Sequence, residues 1–226
     1  YNSKTAVDAI ETVPVTEGSS GTSLGVLKFG GDGKLNCLQR TAYGYNRWSQ
    51  SAMRQWLNSD KGVGEWWTPQ NDYDRCPDQL ATKAGFLTGF DADFLEILRP
   101  TKVITALNTV TDTTSSNSVD PLETTYDKIY LPALEQMSIE PELAGEGSTW
   151  DYWKRASNMT TKMKKWQTYP QIRTFAIENH TSPRHVRLRS AHRGNSYLTW
   201  YVNSGGSVND GSAIHAHRCA PACDFC

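Results

Sequence analysis

No Lys follows Lys165, no Met follows Met163, no Gln follows Gln171 and no Glu follows Glu178, although all four types are scattered through the chain before those points. All five His (His180, His185, His192, His215, His217) fall after them. Charge of one sign is lacking as well: the net charge is −1 and there is no basic stripe, so nucleic-acid binding has no electrostatic footprint. No apolar run approaches the roughly 18 residues that a bilayer span needs. Cysteine is sparse and odd in number (Cys37, Cys76, Cys219, Cys223, Cys226), which argues against a complete disulfide framework and leaves the redox compartment open. Position 1 is Tyr and no apolar signal region follows it, so the chain is expected to be a fragment whose original targeting signal, if any, is not visible. There is no internal repeat.

What is present suits one large domain of α+β class. Hydrophobic residues make up 38% of the 226, with eight Trp and ten Tyr, enough for a real core. Residues 1–23 end in Thr16-Glu17-Gly18-Ser19-Ser20-Gly21-Thr22 and read as a polar lead-in or linker, with the domain at 24–226. Residues 24–29 are strand-like. Trp48, Ala52, Met53, Trp56 and Leu57 recur at helical spacing and predict a helix over 49–58. Asp91 is placed to cap a short helix carrying Phe94, Leu95 and Leu98, stopped by Pro100. Strands are expected at 102–107, 128–131, 185–189 and 197–202, with a hairpin turn at 203–207, a polar loop over 111–121 and a Lys-faced helix from Trp150 to about Lys165.

Few constellations carry chemistry. Cys219-x₃-Cys223-x₂-Cys226 beside His215 and His217 offers soft zinc ligands, but the paired second half usual in structural sites is missing. A buried or free set of thiols is the simpler reading. His215-Ala216-His217 would place both imidazoles on one side of a strand, suited to acid–base work or simply to an exposed face. Val208-Asn209-Asp210 and Ile139-Glu140-Pro141-Glu142 are similar to sugar-binding tripeptides that use calcium, yet supply too few converging oxygens. Neither a metal nor a cofactor is expected. The Trp residues read as packing rather than as stacking platforms.

The tail alternates a frame of Arg, Gly, Ala, Val, Trp and Cys with chemically unrelated residues. Ser190-Ala191-His192-Arg193-Gly194-Asn195-Ser196, Trp200-Tyr201-Val202-Asn203, and the run from Ser207 through Asn209-Asp210-Gly211-Ser212-Ala213-Ile214-His215-Ala216-His217 to Cys223 resemble the C-terminal variable region of diversity-generating retroelement target proteins. In that family, adenines of a template are misread, so Asn codons are scattered over many residue types. A pyrimidine kept at the third base bars Lys, Glu, Gln, Met and Trp, which matches the missing types, and Trp200 fits as fixed scaffold. Tyr45-Asn46-Arg47-Trp48-Ser49-Gln50-Ser51, Trp67-Thr68-Pro69-Gln70 and the stretch Ala84 to Asp91 look like a bacterial and phage domain of unassigned function that carries such tails. The resemblance covers about residues 24–226. It implies a C-type lectin fold in the branch shared with formylglycine-generating enzymes, without the calcium site, and a variable region at 190–218.

The resemblance then implies diversified, ligand-binding positions at His192, Tyr197, Leu198, Thr199, Tyr201, Ser207, Asn209, Asp210, Gly211, Ser212, Ile214, His215 and His217. Asn203, Ser204, His180 and His185 fit the pattern less closely. Arbitrary substitution is tolerated only where side chains neither pack nor satisfy buried polar groups, so these positions are expected to form one contiguous solvent-facing patch, with Trp200 and Val202 pointing inward against Tyr201 outward. The function expected is non-enzymatic: a receptor-binding display protein on a phage tail or bacterial surface, recognising a protein or glycan on a host or neighbouring cell, with no nucleic-acid partner and no membrane insertion, and with assembly as a homo-oligomer or in a larger surface structure left open. The rivals are an oxidase related to formylglycine generation that uses the C-terminal Cys, and a purely structural virion subunit.

Overall fold

A computed structural model of the protein describes residues 26–28, 35–37, 46–69, 76–108, 121–151, 153, 175–177, 182–195, 197–213 and 215–225. The expected loop at 111–121 and helix from Trp150 to Lys165 lie almost wholly outside the described residues. The class is α+β, with three short α-helices and twelve strands among the described residues. The helices are α1 (Ala52–Leu57), α2 (Asp78–Ala81) and α3 (Ala92–Ile97). No described helix is long and apolar enough to cross a membrane.

Helix boundaries follow local chemistry. Ser51 caps α1 by accepting from Arg54 N–H at 3.1 Å, and Asp91 caps α3 by accepting from Phe94 N–H at 2.8 Å. At the far end of α1, Asn58 turns outward to serve a second segment: its Oδ1 accepts from the Lys128 and Ile129 N–H groups, at 2.7 and 3.1 Å, and its Nδ2 donates to Ile129 C=O at 2.8 Å. One side chain thus supplies what a partner strand would have supplied. The strand expected at 128–131 is therefore reduced to a single bridge, Tyr130 to Ala222.

A four-stranded sheet carries the C-terminal region, in the order β10 (Val208–Ser212), β9 (Leu198–Val202), β8 (Val186–Ala191), β11 (Arg218–Cys219). β8 and β9 are antiparallel, as are β9 and β10, whereas β11 runs parallel to β8. The register shifts between Arg187, opposite Tyr201, and Ala191, opposite Thr199. The β9–β10 turn is closed by Asn203, whose Oδ1 accepts from Gly205 and Ser207 N–H at 2.8 and 3.0 Å, and Gly206 sits at φ +84°, where glycine has no steric cost. Two-stranded ribbons are formed by β4 (Thr101–Ala106) with β5 (Leu122–Asp127), β3 (Leu98–Arg99) with β12 (Asp224–Phe225), β1 (Val26–Lys28) with β2 (Leu35–Cys37), and β6 (Phe175–Ile177) with β7 (Ser182–Arg184).

Two buried clusters hold these elements together. Trp48, Leu57, Leu87, Leu98, Val103 and Leu131 form the first, which also takes in Ala213 from the tail. Leu134, Met137, Ile139, Trp153, Leu188 and Val202 form the second, with Trp200 and Val208 packed on its edge. Trp48 is fully enclosed and donates its indole N–H to Asp127 at 2.9 Å. That buried carboxylate also accepts from Arg54 Nε and Thr125 Oγ1, at 2.6 and 2.7 Å, so its charge is met by three donors. Truncating Trp48 removes both the packing and one of those donors.

Candidate ligand-binding face

Two residues from the frame hold the tail by its backbone. Asn46 is wholly buried, and its Nδ2 lies 3.0, 2.9 and 2.8 Å from the carbonyl oxygens of His192, Asn195 and Leu198. Two hydrogens are shared among three acceptors, while Asn46 Oδ1 accepts from Asn108 Nδ2 at 3.0 Å. Arg187, 1% exposed, reaches across the sheet from β8. Its Nη2 donates to the carbonyls of Ser212 and His215 at 2.9 and 3.1 Å, and its Nη1 to those of Gly211 and Thr199 at 3.3 and 3.4 Å and to Thr199 Oγ1. Ala213 N–H completes the clamp by donating to Tyr197 C=O at 2.7 Å. All but one of the contacts to the tail end on main-chain atoms, which every residue type provides.

Directly opposed residues of an antiparallel pair share a face. Tyr201, Asn209, Thr199 and Gly211 therefore lie on the Arg187 face, whereas Leu198, Trp200, Asp210 and Ser212 lie on the face of Val202 and Val208. β10 is the edge strand of its sheet, so the two sets meet around that edge. Ser207, Asn209, Asp210 and His215 are exposed; His192, Leu198, Tyr201, Gly211 and His217 are partly so. Ile214 lies outside the described residues.

Three positions depart from the expected exposure. Tyr197 is 8% exposed, Thr199 0% and Ser212 7%. Thr199 shares a face with Tyr201, as period-2 alternation requires, but the Arg187 guanidinium lies against its hydroxyl and covers it. Tyr197 and Ser212 sit where the 212–213 backbone folds back onto the 197 carbonyl. The inward-outward expectation holds for Val202, fully buried, but Trp200 and Tyr201 are each half-buried. Trp200 stacks on His192 with ring centroids 5.4 Å apart and donates its indole N–H to Glu142 Oε2 at 3.2 Å.

On the Arg187 face, Tyr201 stacks on His217 at 4.3 Å and on His185 at 5.4 Å, and His215 meets His217 edge-on at 5.9 Å. His215 and His217 flank a bend rather than a strand, which replaces the expected one-sided pair. His217 Nε2 is enclosed without a hydrogen-bond partner among the described residues. Burial, then the Arg187 charge and the neighbouring His185 and His215, push its pKa down to about 3, so it is neutral at physiological pH. Gly211 is the tightest point: a Cβ there would come within 3.1 Å of Tyr201 Cε1, so a side chain at 211 requires that ring to move.

Cys219 and Cys223 are free thiols, both with pKa raised by burial. No group of three or more His, Cys, Asp or Glu among the described residues is arranged to hold a metal ion. Asn46, Arg187 and Glu142 were not among the expected site residues. No local pattern marks Asn46, whose tail partners lie 146 to 152 residues away.

No curated protein and no solved structure matches the chain. A family model described as a domain of unknown function (DUF6273) matches residues 34–224, and the chain belongs to that family.

Proposed function

We propose that the protein is a non-enzymatic display protein, the variable protein of a diversity-generating retroelement with a C-type lectin fold, carried on a phage tail or bacterial surface and binding a protein or glycan of a host or neighbouring cell. The observation that carries this reading is the way Asn46 and Arg187 grip the tail through seven of its carbonyl groups, with the buried Thr199 hydroxyl the one side chain they hold. A backbone fixed in that manner keeps its shape when the exposed residues change. Ser207, Asn209, Asp210 and His215, with the half-exposed Tyr201, supply the aromatic and adaptable polar mixture that antibody paratopes use. Buried residues Tyr197, Thr199 and Ser212 belong to the support rather than to the contact surface.

Oxidase chemistry at the C-terminal Cys draws no support from their surroundings. A reactive thiol needs a lowered pKa, whereas burial raises both Cys219 and Cys223. The functional test is a binding assay with fluorescently labelled protein on a panel of bacterial cells. The reading expects saturable binding to a subset of strains, lost when Asn209, Asp210 and His215 are all changed to Ala and kept in Cys219→Ser. Binding to no strain, or binding untouched by the triple change, would count against it.

A further inference from the structure

β4 has one open edge. Its partner β5 takes one side, and among the described residues no strand takes the other. In an antiparallel ladder, alternate residues turn both backbone groups toward the partner or away from it. Leu107 N–H donates to Pro121 C=O at 2.8 Å, continuing the β5 side, so the odd positions face inward. The even positions face the open edge, and two of their groups are met by side chains. Ile104 C=O accepts from Arg189 Nη2 at 3.0 Å, and Ala106 N–H donates to Glu146 Oε1 at 3.1 Å. Arg189 also donates to Leu131 C=O at 2.8 Å, so its guanidinium bridges two backbones across a gap.

Lys102 and Ile104, with Arg189 and Glu146, line a cavity of about 280 Å³, whose other walls include Tyr130, Ser148, Trp150 and Asp224. None of residues 192–217 lines it, so it is separate from the display face. A strand occupies roughly 3.3 Å by 4.8 Å by 10 Å, or about 160 Å³ per residue. The cavity therefore holds about two residues of extended chain. Its lining carries both signs of charge in balance, Lys102 and Arg189 with Glu146 and Asp224, which favours a neutral guest, and the edge-to-face pair of Tyr130 and Trp150, 6.4 Å between centroids, offers an apolar wall for one side chain. β12 already covers the preceding stretch of chain, pairing Asp224 with Arg99 and Phe225 with Leu98, and Asp224 Oδ2 accepts from Thr101 Oγ1 at 2.7 Å at the start of β4.

We infer that this slot is a second binding site, which takes an extended peptide segment about two residues long as an added strand on β4. A guest backbone supplies the alternating C=O and N–H groups that the edge at Lys102 and Ile104 requires, at the spacing of a sheet. Burial and the Asp224 carboxylate push Tyr130 up to about 12, so its hydroxyl stays protonated at the wall.

The test is amide-resolved NMR on the full chain, titrated with acetyl-Thr-Val-Thr-amide, with the same peptide N-methylated at Val, and with methyl glucoside. The inference expects saturable shifts at the Lys102 and Ile104 amides and the Trp150 indole with millimolar peptide, and affinity at least about tenfold weaker for the N-methyl form, which cannot pair. Equal binding of the two peptides, no shift at these amides with either, or a stronger response to methyl glucoside would each overturn it.

Discussion

At the scale of single residues, His217 carries the plainest consequence. Its pKa falls from 6.5 to about 3 on folding, first through burial and then through Arg187, His185 and His215. A depressed value means that the folded state prefers the neutral ring. The contribution is fully present above pH 6.5 and is lost as pH drops toward 3, where the unfolded chain binds the proton more readily. Thermal melts between pH 7 and pH 4 are expected to show the native protein losing more stability than His217→Phe, which has no ring proton to gain. Parallel loss in both proteins would assign the acid sensitivity elsewhere. Gly211 is a position where substitution is limited, since any side chain there competes with the Tyr201 ring for space.

At the scale of elements, the sequence is most legible where the signal is local. Asp91 announces the helix it caps, and the spacing of Trp48 to Leu57 announces the other, which begins at Ala52, after the Ser51 cap, inside the expected 49–58. Leu198–Val202 and its turn at 203–207 were equally readable from alternation followed by Gly205-Gly206. β10 has no apolar alternation in Val-Asn-Asp-Gly-Ser and becomes a strand because β9 is there to pair with it. The failure at 128–131 has a similar origin, because a single amide, Asn58, displaces a ladder in a way that no periodicity reveals. Thr199, Tyr197 and Ser212 were misplaced because their burial depends on Arg187 and on the return of the 212–213 backbone. Removing the other backbone clamp tests how far the loop before β9 depends on it. Asn46→Ala strips a donor from three tail carbonyls, of which Asn195 and Leu198 keep backbone donors and His192 does not, and removes one acceptor from Asn108 Nδ2. A loss of about 3 kcal/mol in chemical denaturation is expected, since each buried group left unmet costs about 1–3. A change below about 1 kcal/mol would mean that the loop holds itself.

At the scale of the whole molecule, a core built from two clusters supports a tail whose backbone is held from beneath and whose Ser207, Asn209, Asp210 and His215 are exposed. On the proposed function, stability and recognition fall on different atoms: buried Trp48, Asn46 and Arg187 for the first, exposed Asn209, Asp210 and His215 with half-buried Tyr201 for the second. The most direct test is a set of thermal melts on variants in which Ser207, Asn209, Asp210 and His215 are randomised together, measured beside Asn46→Ala. Exposed substitutions cost within about ±0.5 kcal/mol each, and about 1 kcal/mol shifts a domain of this size by roughly 2–4 °C. The account predicts that most randomised variants melt within a few degrees of the parent while Asn46→Ala melts well below it. Randomised variants that melt as low as Asn46→Ala would contradict it, because the tail's side chains would then be part of what holds the fold together.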